Sequence, residues 1–267
     1  MLELYYSIES TCGQKVRLAL AEKSLDWREN LLNLRKGEQF APDYLKLNPK
    51  GVVPTLVHDG VVIRESTVIN EYIDQVFPDP PLRPADAHAQ ARMRLWTKAF
   101  DEEVHPSVGI VTYATTLRHQ MNALKTPQEL AAHFAAMPDP ARRDRQRLAH
   151  DKGIDAPHVG GALRMLDNVI ARMEADLAGS PWLAGADYSL ADAAAIPYLV
   201  RLEMLRFDPL WKDARPHVAD WFDRVLARDN ARALDEAWGP VSFIDLLNTH
   251  GGDAWPRARD ILAETTS

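Results

Sequence analysis

Four prolines fall within seven residues, Pro78, Pro80, Pro81 and Pro84. Neither a helix nor a central strand runs through such a stretch, because proline lacks the backbone N–H and fixes φ. The prolines separate two regions of different hydrophobic period. Upstream the chain alternates short elements. Residues 2–6 read as a strand, and 15–23 as a helix with Val16, Leu18, Ala19 and Leu20 on its apolar face. Residues 26–34 read as a second strand and 42–47 as a short helical turn. Residues 48–57 turn into a third strand. Asp59-Gly60, between apolar runs, is a hairpin signal leading to a fourth strand at 61–63. Glu65-Ser66 opens a helix to about residue 77. The order β-α-β-α-β-β-α predicts a sheet with helices packed against it.

Downstream of the prolines no convincing strand appears. Residues 85–112, 158–177, 189–206, 218–228 and 230–239 have helical periodicity. Ser189-Leu-Ala-Asp192 has the form of a capping box. Residues 126–157 are rich in Pro, Ala and charge, and read as an insertion of loop and short helix. Residues 249–267, with Gly251-Gly252, read as a terminal excursion. The expected organisation is an α/β domain over 1–80, an all-α domain over 85–248 with an insertion at about 113–160, and a tail over 249–267.

Composition narrows the function. The 267 residues contain one cysteine, Cys12, so no internal disulfide and no cysteine-based zinc cage is possible. A lone thiol fits a reducing compartment, and a cytoplasmic location is expected. No apolar run reaches the ~18–20 residues of a membrane span. The first residues form neither a basic n-region nor an apolar h-region, so no signal peptide is expected. A net charge of −7 gives no general attraction for nucleic acid. The basic run Arg142-Arg143-Asp-Arg145-x-Arg147 fits a solvated helix face. Nine histidines are present, but none has metal-ligand spacing, and no metal site is expected.

Three segments carry possible chemistry. The loop 7–13, Ser-Ile-Glu-Ser-Thr-Cys-Gly, stands between the first strand and the first helix. A helix N-terminus exposes unpaired N–H groups and stabilises an anion, a thiolate included. Ser10, Thr11 and Cys12 are the small donors there, and ordinary capping by Ser10 or Thr11 explains them equally. Gly51-Val-Val-Pro54 precedes a strand, where a cis bond would offer the main chain of Val53 to a ligand. Glu65-Ser66 places a carboxylate and a hydroxyl at a helix start, either as a cap or as a clamp for the ammonium and carboxylate of an amino acid.

The residues 10–20 (Ser-Thr-Cys-Gly-Gln-Lys-Val-Arg-Leu-Ala-Leu), 48–56 (Asn-Pro-Lys-Gly-Val-Val-Pro-Thr-Leu), 65–73 and 182–192, in this order, resemble the glutathione S-transferase family over roughly residues 2–235. The resemblance implies a thioredoxin-like N-terminal domain that binds glutathione and an all-helical domain that shapes a hydrophobic second-substrate site. By position, Val53 would pair with the cysteinyl backbone of glutathione and Pro54 would be cis. Glu65 and Ser66 would hold the γ-glutamyl group, Gln39 and Lys50 would lie near the glycine carboxylate, and Ser10, Thr11 and Cys12 would face the sulfur. Ser-Thr-Cys-Gly resembles both the zeta-like loop, where the first serine activates the thiol, and the Ser-x-Cys of reductive dehalogenases, where cysteine forms a mixed disulfide. Ser10 and Cys12 therefore stay as alternatives. Residues 82–102 and the long insertion are similar to the fungal-like bacterial β-etherases, which implies glutathione-dependent cleavage of a lignin-type β-aryl ether. His105, Tyr113, Arg118 and His119 are candidates for the pocket, and each taken singly also fits an ordinary helix face. A maleyl-type isomerase, a Cys12-dependent thiol transferase and a non-catalytic binding module are the alternatives. The family also implies a homodimer.

Overall fold

A computed structural model of the chain describes residues 1–137, 139–233 and 238–264. Strand β1 (Leu2–Tyr6) runs parallel to β2 (Arg28–Leu31) and antiparallel to β3 (Thr55–His58), which pairs antiparallel with β4 (Val61–Arg64). The sheet order is β2-β1-β3-β4. Helix α1 (Thr11–Glu22) connects β1 to β2, α2 (Pro42–Leu47) precedes β3, and α3 (Ser66–Val76) follows β4. This is the expected thioredoxin-like arrangement. The second strand is shorter than 26–34, because its ladder runs only from Glu3 opposite Arg28 to Tyr6 opposite Leu31.

The rest is helical: α4 (Ala87–Ala99), α5 (His105–Thr112), α6 (Arg118–Leu124), α7 (Pro127–Ala135), α8 (Pro140–Lys152), α9 (Pro157–Leu177), α10 (Leu190–Met204), α11 (Pro209–Lys212), α12 (Pro216–Leu226), α13 (Asp229–Ala233) and α14 (Val241–Ala263). Three sequence expectations change here. The single helix over 85–112 is interrupted by a π-helical turn, Phe100–Val104. Pro106, which has no N–H to continue the ladder, follows at the start of α5. The insertion at 126–157 consists of two full helices. Pro127 and Pro140, which look like breakers, each stand in the first turn, where a missing N–H costs nothing. Thr126 and Glu129 complete a capping box, and Asp139 caps α8. The tail is a helix through residue 263. Gly251, which reads as a break, is where α14 meets the end of α10: a Cβ there would lie 2.3 Å from the Leu205 carbonyl oxygen. Of the helix expected over 230–239, residues 234–237 lie outside the described residues.

Helix α1 serves two cores at once. Val16 and Leu20 pack with Leu2, Leu4, Tyr6, Leu56, Ile69 and Ile73 under the sheet. Leu18 and Ala19, on the opposite side, belong to the core of the helical region. A helix buried all round must also bury its polar residues, and each of these requires a partner. Glu22 accepts two hydrogen bonds from Arg228, at 2.9 and 2.7 Å. Lys23, just past the helix, bonds to Asp74 at 2.6 Å and to the Pro80 carbonyl. Asp74 also accepts the Leu82 N–H at 2.8 Å. The proline joint is thereby tied to α1 and α3. In the helical half, Ser189 and Asp192 form the expected capping box, and Asp192 Oδ1 also accepts from the Leu183 N–H and the Trp221 indole. This carboxylate is fully buried. Burial pushes it up despite those four hydrogen bonds.

Candidate active site

Ser10 caps α1, its hydroxyl oxygen accepting the Gly13 N–H at 3.2 Å. The cap fixes the first turn and turns Cys12 toward the helical region. Its Sγ lies 3.4 Å from His105 Nδ1 and 3.6 Å from the Tyr198 hydroxyl. His105 is the first residue of α5, directly after the π-helical turn, and Tyr198 lies on α10. Lys15, one turn beyond Cys12 on α1, is completely buried. Its ammonium donates to Asp101 Oδ1 at 2.7 Å and to Thr67 Oγ1 at 3.1 Å, and stands 5.9 Å from the Tyr198 ring centre.

These neighbours set the protonation of the thiol. Burial alone pushes Cys12 up. The charge and hydrogen bond of His105, the Lys15 ammonium and the Tyr198 hydroxyl outweigh it and bring the thiol down to about 6. The effect is mutual: the Cys12 thiolate holds the His105 imidazole above its ordinary value against the pull of burial. Tyr198 is pushed far up, by burial first and then by the neighbouring thiolate, so it remains a neutral donor. At neutral pH the cluster is a thiolate beside a phenolic O–H and a histidine whose protonated form that thiolate favours.

Thr11, in the first turn, is buried and adds no contact to the sulfur. Of the four pocket candidates only His105 reaches Cys12. Tyr113 pairs with His150 Nδ1 at 3.2 Å, and Arg118 donates to the His150 carbonyl at 3.1 Å and to His119 Nε2 at 3.2 Å. His119 stacks on His250 of α14, with ring centres 4.2 Å apart. Those three residues form a separate group that ties α6, α8 and α14 together.

The second half of the site lies on the sheet domain. The Val53-Pro54 peptide is cis. Strand β3 begins only at Thr55, so Val53 stands ahead of the ladder. The preceding turn is held by Tyr44 and Asn48, which both donate to the Val52 carbonyl. Glu65 takes φ +66°, an uncommon conformation for a residue with a side chain, and directs the chain into α3 with Ser66 buried in its first turn. Glu65 and Lys50, which the family resemblance assigns to opposite ends of the tripeptide, pair with each other at 2.7 Å. Both are largely exposed, so separating them costs no more than about 1 kcal/mol. Gln39 is buried, and its Oε1 has no partner among the described residues. A main chain standing ahead of the ladder, a helix start, a carboxylate and an amide oxygen without a partner among the described residues are what this face offers an extended peptide.

Sequence reasoning missed Lys15, Asp101 and Tyr198 as parts of the site. A lysine directly ahead of the apolar run 16–20 was the one available signal. Tyr198 sits in the Ala-rich helix start 190–200, and nothing local marks it.

The models for the glutathione S-transferase N-terminal and C-terminal domains match residues 9–76 and 128–229. The chain is 32% identical to Protein LigF of Sphingobium sp. (strain NBRC 103272 / SYK-6), covering 88% of this chain and 93% of that protein. The crystal structure of beta-etherase LigF from Sphingobium sp. strain SYK-6 superposes with a TM-score of 0.79 at 30% identity, over 88% of this chain and 98% of that one. The tetrachloro-p-hydroquinone reductive dehalogenase of Sphingobium chlorophenolicum is 29% identical, over 90% of this chain and 99% of its own length. Glutathione S-transferase Z1 of Arabidopsis thaliana is 48% identical, over 34% of this chain and 41% of its own length. The chain belongs to the glutathione S-transferase family and is an enzyme of that family, whose common cosubstrate is glutathione. No helix among the described residues is long and apolar enough to cross a membrane, and no group of side chains there suits a metal ion.

Proposed function

We propose that the protein uses glutathione to displace a leaving group from a hydrophobic aromatic electrophile, a lignin-type β-aryl ether, and that Cys12 acts afterwards as a nucleophile on sulfur. The Cys12 thiolate beside His105 and Tyr198 carries this reading. Glutathione lies along Val53, with its γ-glutamyl end at Glu65 and Ser66 and its glycine end toward Gln39 and Lys50. Its sulfur meets the start of α1, where Ser10 still has a hydroxyl hydrogen to donate.

Magnitudes assign the role of Cys12. A thiol at about 6 is a weak base toward glutathione, a free thiol near ~8.5. Moving a proton from glutathione to Cys12 is uphill by about 3.4 kcal/mol. A low-pKa thiolate is instead a good attacking and leaving group in exchange at sulfur. In the first step the glutathione thiolate attacks the carbon next to the ketone and expels a phenolate. In the second, Cys12 attacks the sulfur of the resulting thioether, giving a Cys12–glutathione disulfide and a carbanion stabilised by the ketone. That carbanion takes a proton from His105 or Tyr198. A second glutathione then releases glutathione disulfide and restores Cys12. The likeness to both a beta-etherase and a reductive dehalogenase supports a chain that combines the two steps.

The test is product analysis with β-aryl ether dimers, chlorinated hydroquinones and maleyl-type isomerisation substrates. The wild type should release phenol and deplete its own thioether. The Cys12→Ser variant should release phenol and accumulate the thioether. Absence of any Cys12–glutathione adduct by mass spectrometry, with thioether removal intact in Cys12→Ser, sinks the assignment. The assembly we infer is a homodimer in which the sheet domain of one subunit meets the helices of its partner; exposed Val68 and Val76 on α3 and Leu95 on α4 support it. The single cysteine supports a reducing, cytoplasmic setting.

A further inference from the structure

Two arginines converge beside the Cys12 loop, and one carboxylate faces them. Arg201 lies on α10 one turn after Tyr198, so both side chains leave the same face of that helix. Its guanidinium donates to the main-chain carbonyl of Glu9 at 2.7 Å. Arg35, from the loop after β2, donates to the Glu9 carboxylate at 2.6 Å and to Gln120 at 2.5 Å. Phe243 of α14 lies against both, 5.1 Å from the Arg201 guanidinium and 5.7 Å from that of Arg35. Arg201 is 6% exposed, and its Nε has no hydrogen-bond partner among the described residues. Glu9 and Arg35 keep about a fifth of their side-chain surface open.

A guanidinium carries five N–H donors in a planar fork. Among the described residues Arg201 donates to one neutral carbonyl, and Glu9 balances only one of the two positive charges. A buried cation left without its own anion is costly. Desolvation, with Arg35 adding repulsion, pulls Arg201 down to about 10 despite the help of Glu9. The surplus charge faces the loop that carries Cys12, and Arg201 leaves α10 about one helical turn, ~5 Å along the axis, beyond Tyr198.

We propose that Arg201 and Arg35 form an anion-recognising pole of the electrophile site, so that the aromatic substrate carries a carboxylate on the side of its ring away from the reacting carbon. This extends the proposed function by naming the substrate class. Bidentate pairing of a carboxylate with the free edge of Arg201 supplies the missing negative charge. Phe243, buried behind the two guanidiniums, holds them side by side.

The experiment compares 4-(bromomethyl)benzoate with its methyl ester as alkylating agents for Cys12, without glutathione, followed by intact-protein mass spectrometry. The wild type should react at least tenfold faster with the acid than with the ester. That ratio should fall to about one in Arg201→Gln and in Arg35→Gln, with iodoacetamide rates unchanged. Because Arg201 also holds the Glu9 main chain, Arg35→Gln, a partly exposed site, decides the matter if the first variant does not fold. Equal rates for acid and ester in the wild type overturn the proposal, as does a ratio that survives in the variants. A second arm measures KM with glutathione for a carboxylate-bearing β-aryl ether and its methyl ester. A rise in the glutathione KM alone in Arg35→Gln assigns the pole to the cosubstrate and also overturns it. If no ether is turned over but the alkylation preference is present, the anion pole stands and the reaction assigned above fails.

Discussion

Cys12 and Glu65 both stand at the starts of helices, α1 and α3, yet the two starts behave differently. Cys12 is half covered by the helical region, and its thiol is drawn down to about 6 by groups from α1, α5 and α10. Glu65 is exposed and, among the described residues, pairs with one counter-charge, Lys50, on its own domain. A helix N-terminus by itself offers roughly half a unit of positive charge. Only where the second domain closes over it do its histidine and phenol, together with Lys15 of α1 itself, add enough to make a thiolate the resting state. In the proposed function the sheet domain is the glutathione holder, and the contact with the helices sets the state of the thiol.

Five variants test that contrast. Cys12→Ser should eliminate the mixed disulfide with oxidised glutathione and slow thioether removal by at least about 100-fold, read by intact mass and by product ratio. His105→Ala should move the thiol upward, because the largest lowering contribution is lost while burial stays. The wild-type alkylation rate should rise with pH to a midpoint near 6 and level off above it. A shift of about two units in the variant lowers the rate at pH 6 by about 50-fold, and an unchanged midpoint would remove His105 from the site. Asp101→Asn leaves the Lys15 ammonium buried with only Thr67 beside it. A loss of about 2 kcal/mol is expected in urea unfolding, partly recovered by Lys15→Met in the same chain. At the other helix start, Glu65→Gln should raise the KM for glutathione about tenfold, or about 1.4 kcal/mol, with little change in kcat. Lys50→Ala, which breaks only an exposed pair, should change it by less than about fivefold. Reversal of the last two against the first two would erase the distinction between the helix starts.

Much of the holder is legible in the sequence, because its parts are local. Asn48 to Thr55 and Glu65-Ser66 are contiguous segments whose turn, proline and helix start are each written in neighbouring residues. The same holds for Ser189 and Asp192, three residues apart in one capping box. The sulfur end is not local. Cys12 and His105 are 93 residues apart, and Cys12 and Tyr198 are 186 apart. No periodicity reports that a π-helical turn at 100–104 brings His105 to the thiol, or that His119 goes instead to His250. The two helices of 127–152 were hidden for another reason: prolines that start helices carry the same signal as prolines that end them.

By itself the sequence determined the α/β-then-helical plan, the family, and the place of the lone cysteine in the first helix start, and it pointed to the segments proposed as the clamp, because each follows from local chemistry and chain order. The tertiary structure decided which residues meet that cysteine, that a buried Lys15 and a neutral Tyr198 share its site, and that Arg35 and Arg201 converge on Glu9. Those outcomes depend on how α1, buried between two cores, is pressed against α5 and α10. Packing of that kind is a property of surfaces brought together by folding, and no window of sequence contains both sides of it.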